Sequence, residues 1–192
     1  MNALRSHELL HRRSSRLLIV DVQEKLVAAL EEREQDRLLE ACRLLCEGAR
    51  LMGVPVTATE QYPQGLGSTV DGLTEFVGER PAKKRFSAFE CTGWPPAAEV
   101  TDDRFQIVVA GMETHICVLQ TVLDLLAAGY HTYVVIDSVA SRGGIDHGVA
   151  LERMANSGAV IATAESVLFE WCETAEASEF KQLSELIKTR PE

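Results

Sequence analysis

Residues 105–119 read FQIVVAGMETHICVL: an apolar run rich in β-branched residues, a glycine, a short polar stretch, and a cysteine opening an amphipathic run. This order predicts a strand over 105–110, a tight turn at Gly111, and a helix over 114–128 with Cys117 in its first turn. Unpaired N–H groups and the positive end of the helix dipole favour an anion at such a place. The Cys117 thiol is therefore expected to titrate below its ordinary value, with thiolate present near neutral pH. A small buried hydrophobe is the commoner role of a free cysteine, and this segment leaves both readings open.

The pattern repeats on both sides. Upstream, strands are predicted at 16–21 (RLLIVD), 55–59 and 82–86, with helices over 34–52, stopped by Gly53, and over 69–77. Downstream follow a strand at 132–137, a helix over 145–156, a strand at 159–163 and a helix over 178–188. Strands mostly alternate with helices, and they are apolar throughout rather than at every second residue. That is the mark of a parallel sheet covered on both faces, so the expected fold is a three-layer α/β/α sandwich, Rossmann-like, with a six-stranded parallel sheet.

The 192 residues suit one domain, 1–192, with residues 1–14 expected to form a flexible N-terminal arm. No apolar run approaches the ~20 residues of a membrane helix. The start, MNALRSHELLHRRSSR, lacks an apolar core and a cleavage site for secretion, so a cytoplasmic location is expected; its Arg and Ser content also fits a transit peptide. A net charge of −10, with scattered basic residues, disfavours nucleic acid as a partner. Five cysteines without a CxxC pair fit neither a disulfide framework nor a zinc site.

Open parallel sheets carry their sites at the carboxyl ends of strands. By this rule Asp21, Lys83 or Lys84, Cys117 and Asp137 end or follow successive predicted strands. A carboxylate there can act as base toward the thiol, an ammonium stabilises developing negative charge, and backbone N–H groups at the helix start supply an oxyanion site.

The segments LLIVDVQEKL, KKRFSAF and VVAGMETHICVLQTVLDLLAAGYHTYVVIDSVASR resemble those of the isochorismatase-like cysteine hydrolases, from Arg16 to about Glu165. The most telling motif is G-x-x-T-x-x-C-V at Gly111, Thr114, Cys117 and Val118. The resemblance implies a hydrolase of C–N bonds in small molecules, with Asp21 as base, Lys83 as cation and Cys117 as nucleophile. Lys83, not Lys84, fits the family's K-x-x-F-S pattern at Phe86-Ser87. The same resemblance implies a cis peptide between Met112 and Glu113, an oxyanion hole from the N–H groups of Glu113 and Cys117, and a homo-oligomer, a dimer or larger.

Departures from the family narrow the reading. The loop after the second strand, TEQYPQGLGSTV, has no histidine where the nicotinamidases hold a metal, so neither metal nor other cofactor is expected. True isochorismatases cleave an ether without the cysteine, which leaves that activity as a weaker alternative. The chain looks like the subgroup with a TEQYPxGLG loop, acting on a small-molecule substrate. A redox-responsive or binding protein with a reactive Cys117 is the alternative of another class. Gln23, Tyr62, Phe86 and Trp94 are candidate pocket residues. His115 is two residues from Cys117, a spacing that does not face it on a helix. Ser141-Arg142 resembles a family signature of structural or interface character, and His147 and Arg142 stand as supporting candidates.

Overall fold

The structure, a computed structural model, describes residues 5–188. Six strands, β1 (Ser15–Val20), β2 (Val56–Gln61), β3 (Ala82–Lys83), β4 (Gln106–Met112), β5 (His131–Ala140) and β6 (Val160–Ala162), form one sheet in the order β3-β2-β1-β4-β5-β6. Every pairing is parallel. The longer helices are α1 (Glu32–Met52), α2 (Leu119–Ala127), α3 (Gly144–Asn156), α4 (Ala164–Cys172) and α5 (Phe180–Lys188).

Continuous apolar strands follow from two covered faces. Along β1, Leu17 and Ile19 pack with Leu38 and Leu45 of α1, Trp171 of α4 and Leu183 of α5. Leu18 and Val20 point the other way, toward Val122 and Leu125 of α2 and Met154 of α3. All four strand residues are fully buried, and each such side chain contributes roughly 1.5–3 kcal/mol of hydrophobic stabilisation.

Several local expectations are corrected. The strand foreseen at 82–86 is only two residues long, because the chain turns after Lys83 to fold its carbonyls back onto that side chain. Residues 114–118 form a π-helical turn rather than the first turn of α2. The helix α4 was not foreseen; its N-cap Thr163 and Ser166 make a reciprocal capping pair. Residues 5–14 are no free arm: Leu10 is fully buried, its N–H donates to Glu170 at 2.7 Å, and Arg5 donates to the carbonyls of Leu10 and Glu170. Residues 1–4 of the expected arm lie outside the described residues.

The order of strands reverses direction between β1 and β4, which places a crevice at their carboxyl ends. Gly111 lets those ends approach. Its φ is +119°, and an added Cβ would stand 2.0 Å from the Val20 carbonyl oxygen. Gly111→Ala is expected to destabilise the fold by about 3 kcal/mol, through strain and forced separation of β1 from β4. Equilibrium urea unfolding checks this.

Candidate active site

Asp21 follows β1 with φ 50°, a left-handed conformation that aspartate tolerates better than most residues, and is fully buried. One carboxylate oxygen, Oδ1, accepts from the Thr59 hydroxyl at 2.8 Å. The other, Oδ2, lies 2.6 Å from Lys83 Nζ, in an ion pair whose side chains are 0% and 3% exposed. Lys83 belongs to β3, two strands away, or roughly 10 Å at ~4.8 Å per strand. Its long stem spans that gap beside β2. The ammonium also donates to Gln61 Oε1 and the Phe86 carbonyl, both at 2.7 Å, and to the Arg85 carbonyl at 3.4 Å. Lys84, by contrast, is exposed.

Cys117 comes from the π-helical turn after β4 and is 4% exposed. Its thiol lies in the field of both Asp21, which raises it, and Lys83, which lowers it, so acid, amine and thiol meet at the β1/β4 crevice. Thr121 links two walls of the site: its hydroxyl donates to the Cys117 carbonyl at 2.6 Å and accepts the Ala88 N–H at 2.8 Å. The Met112–Glu113 peptide is cis.

The electrostatics overturn one expectation. Rather than falling, the Cys117 thiol is pushed up to about 12, by burial first and by the Asp21 charge second, with Lys83 working the other way. A thiol sealed from water beside a carboxylate loses more than a helix terminus returns, and Cys117 lies at the fourth residue of a π turn. Burial also raises the Asp21 carboxyl above its ordinary value, against the pull of Lys83 and the hydrogen bonds it accepts. At rest residue 117 is thus a thiol with a carboxyl group beside it. Alkylation of Cys117 by iodoacetamide is expected to rise about tenfold per pH unit between about pH 7 and about pH 9, without a plateau; stopped-time mass spectrometry measures it.

The remaining candidates divide. Gln23 is fully buried and braces the loop after β2: its amide donates to the Gln61 and Gly67 carbonyls, at 3.1 and 2.6 Å, and accepts the Gln61 N–H at 2.7 Å. Tyr62 and Phe86 stand half-exposed on the carboxyl rim. Trp94 is not at the site. It packs on Tyr130 and under the Arg16 guanidinium, at the amino end of the sheet, because residues 88–97 run down the length of α2. Asp137 is engaged away from the crevice, accepting the Ala164 N–H at 2.9 Å. His115 turns to Ser141, 3.0 Å away, and His147 to Thr114, 3.1 Å away.

Sequence reasoning missed Thr59 and Gln61, which hold Asp21 and Lys83. Their i, i+2 spacing at the end of a strand was the available signal. It also missed Cys91, a half-buried thiol that lines a cavity of about 390 Å³ with Lys83, Lys84, Arg85 and Ser87. Among the described residues, no three His, Cys, Asp or Glu side chains are grouped to hold a metal ion, and no helix is long and apolar enough to cross a membrane.

The chain is similar to several known proteins. The chain is 40% identical over 146 residues to isochorismatase domain-containing protein 1 of Salmo salar, a match covering 75% of this chain and 51% of that protein. The chain thus spans about half the length of that relative. Among solved structures, the MAR1 ribonuclease of Caenorhabditis elegans superposes with a TM-score of 0.84 at 32% identity, covering 96% of this chain and 95% of that one. The Escherichia coli YcaC gene product, described as an octameric hydrolase of unknown specificity, shares the fold, with a TM-score of 0.76 at 20% identity over 97% and 98% of the two chains. Residues 15–166, from β1 into the first turn of α4, match the isochorismatase domain model, and the chain therefore belongs to the isochorismatase domain family.

Proposed function

We propose that the protein is a cysteine hydrolase that cleaves an amide or related C–N bond of a small molecule through a thioester. One observation carries the reading: a buried Asp21–Lys83 pair, 2.6 Å apart, whose two charges both act on the buried Cys117 thiol where the strand order reverses. Asp21 takes the thiol proton as sulfur attacks the carbonyl carbon. The oxygen gains the electron pair and is held by the N–H groups of Glu113 and Cys117. As the C–N bond breaks, Asp21 returns its proton to the leaving nitrogen. Water, deprotonated by Asp21, then hydrolyses the thioester, releasing the acid and restoring the thiol. Lys83 works against burial to favour the ionised form of Asp21 and balances the charge that passes through the site.

A redox sensor fits less well, since sensor thiols are exposed and of low pKa, whereas this one is buried and pushed up to about 12. The name of the Caenorhabditis elegans neighbour, a ribonuclease, raises cleavage of RNA as a second reading. The net charge of −10 opposes it. A panel of small amides, carbamoyl and ureido compounds, a vinyl ether and a short RNA, run against wild type and Cys117→Ala, separates these readings. Turnover of a C–N compound by wild type alone supports the proposal; turnover of only the ether or the RNA defeats it.

We further propose a homo-oligomer working in the cytoplasm. Ile145 and Val149, one turn apart on α3 and 85% and 59% exposed, are apolar surface that an assembly would cover. All five cysteines are free, as suits a reducing compartment. Light scattering is expected to give a multiple of the chain mass of 21.1 kDa.

A further inference from the structure

We propose that Arg142 is a positioning residue for acyl transfer, acting through the side chain of Glu113 on the turn that carries Cys117. The inference rests on the acyl-transfer reading above.

Glu113 is a carboxylate in an unusual place, 3% exposed between the end of β4 and the nucleophile. A charge so placed is costly unless both oxygens are engaged. Arg142 engages both, from two different groups. Its Nε lies 2.6 Å from Oε1, and its backbone N–H donates to Oε2 at 3.2 Å. His115 Nδ1 stands 3.6 Å from Oε2, on a ring that also meets the Ser141 hydroxyl. The residues share a register: Met112 pairs with Ala140 at the ends of β4 and β5, so Glu113 and Arg142 leave neighbouring strand ends and close on each other. On its main chain, the Glu113 carbonyl accepts the N–H groups of Ile116 at 3.0 Å and Val118 at 3.1 Å, the residues flanking Cys117.

Glu113 is therefore a fixed post to which the nucleophile's turn is bound from both sides, and Arg142 is the group that fixes it. The donors proposed for the oxyanion, the N–H groups of Glu113 and Cys117, belong to this same turn. Their aim matters only when a tetrahedral centre forms. Alkylation of the thiol by displacement makes no oxyanion and does not call on them.

That difference supplies the test. Acylation of Cys117 by 4-nitrophenyl acetate and its alkylation by iodoacetamide are measured on wild type, Arg142→Ala, Arg142→Lys and Glu113→Gln, each checked for folding by circular dichroism. In Arg142→Ala the ratio of acylation to alkylation is expected to fall by about 10²-fold, the scale of losing one oxyanion donor. Arg142→Lys should recover part of the loss by keeping the cation. Where Arg142→Ala does not fold, Glu113→Gln, which keeps the side chain's shape, should lower the ratio by about tenfold. An unchanged ratio in the folded variants overturns the positioning role, since a merely structural ion pair would lower the melting temperature and move both reactions alike. Wild type that is alkylated at Cys117 but not acylated overturns the acyl-transfer reading, and the positioning role with it.

Discussion

Cys117→Ser is expected to lower kcat/KM on any C–N substrate of the panel by about 10⁴-fold or more, while leaving the melting temperature close to that of wild type. Oxygen replaces sulfur in the same small buried volume, so packing is nearly conserved. Chemistry is not. A serine hydroxyl holds its proton far more tightly than even this raised thiol, and a carboxylate base cannot remove it at comparable cost. Loss of a nucleophile in hydrolases that work through a covalent intermediate has effects of this order. Steady-state kinetics with a thermal melt measures both quantities. Retained activity would mean that water, not residue 117, attacks.

The second large effect concerns stability. Lys83→Met should destabilise by about 3–5 kcal/mol, because Asp21 is then a buried carboxylate with the Thr59 hydroxyl but no cation. Asp21→Asn should cost less, since Lys83 keeps Gln61 and the Phe86 and Arg85 carbonyls as acceptors. The double variant is expected to be clearly more stable than the sum of the two losses predicts. All three should lack activity. Lys83→Met also has a signed pH dependence. Burial raises the Asp21 carboxyl and Lys83 lowers it, so removal of the ammonium raises it further. A carboxyl raised on folding contributes stability below its unfolded value, lost as pH climbs through the folded one, so Lys83→Met should be more stable at about pH 5 than at about pH 8. Urea unfolding at the two pH values, for all four proteins, is the measurement.

Much of the architecture was legible because it rests on short-range chemistry. The apolar strands of β1 and β4, alternately facing α1 and α2, announce a sheet buried on both sides. Asp21 and Cys117 could be placed together because the carboxyl-end rule needs only strand boundaries. Lys83 was harder: two adjacent lysines look alike until the chain turns back and the Phe86 carbonyl caps one of them.

What escaped depends on long-range geometry. The sign of the Cys117 shift is decided by burial and by Asp21, 96 positions away in the chain, whereas a local reading weighs only the helix end. Trp94 was misplaced because nothing in its neighbours tells how far residues 88–97 descend along α2. The Glu113–Arg142 pair, 29 positions apart, appears only once β4 and β5 are in register.

One measurement reaches the central claim most directly: peptide-mapped mass spectrometry of wild-type protein quenched in acid within seconds of mixing with 4-nitrophenyl acetate. A covalent nucleophile at the β1/β4 crevice predicts a single acetyl group, on Cys117, that disappears as the quench is delayed. An acetyl group on Cys91 or on surface lysines, with Cys117 unmodified throughout, would contradict it.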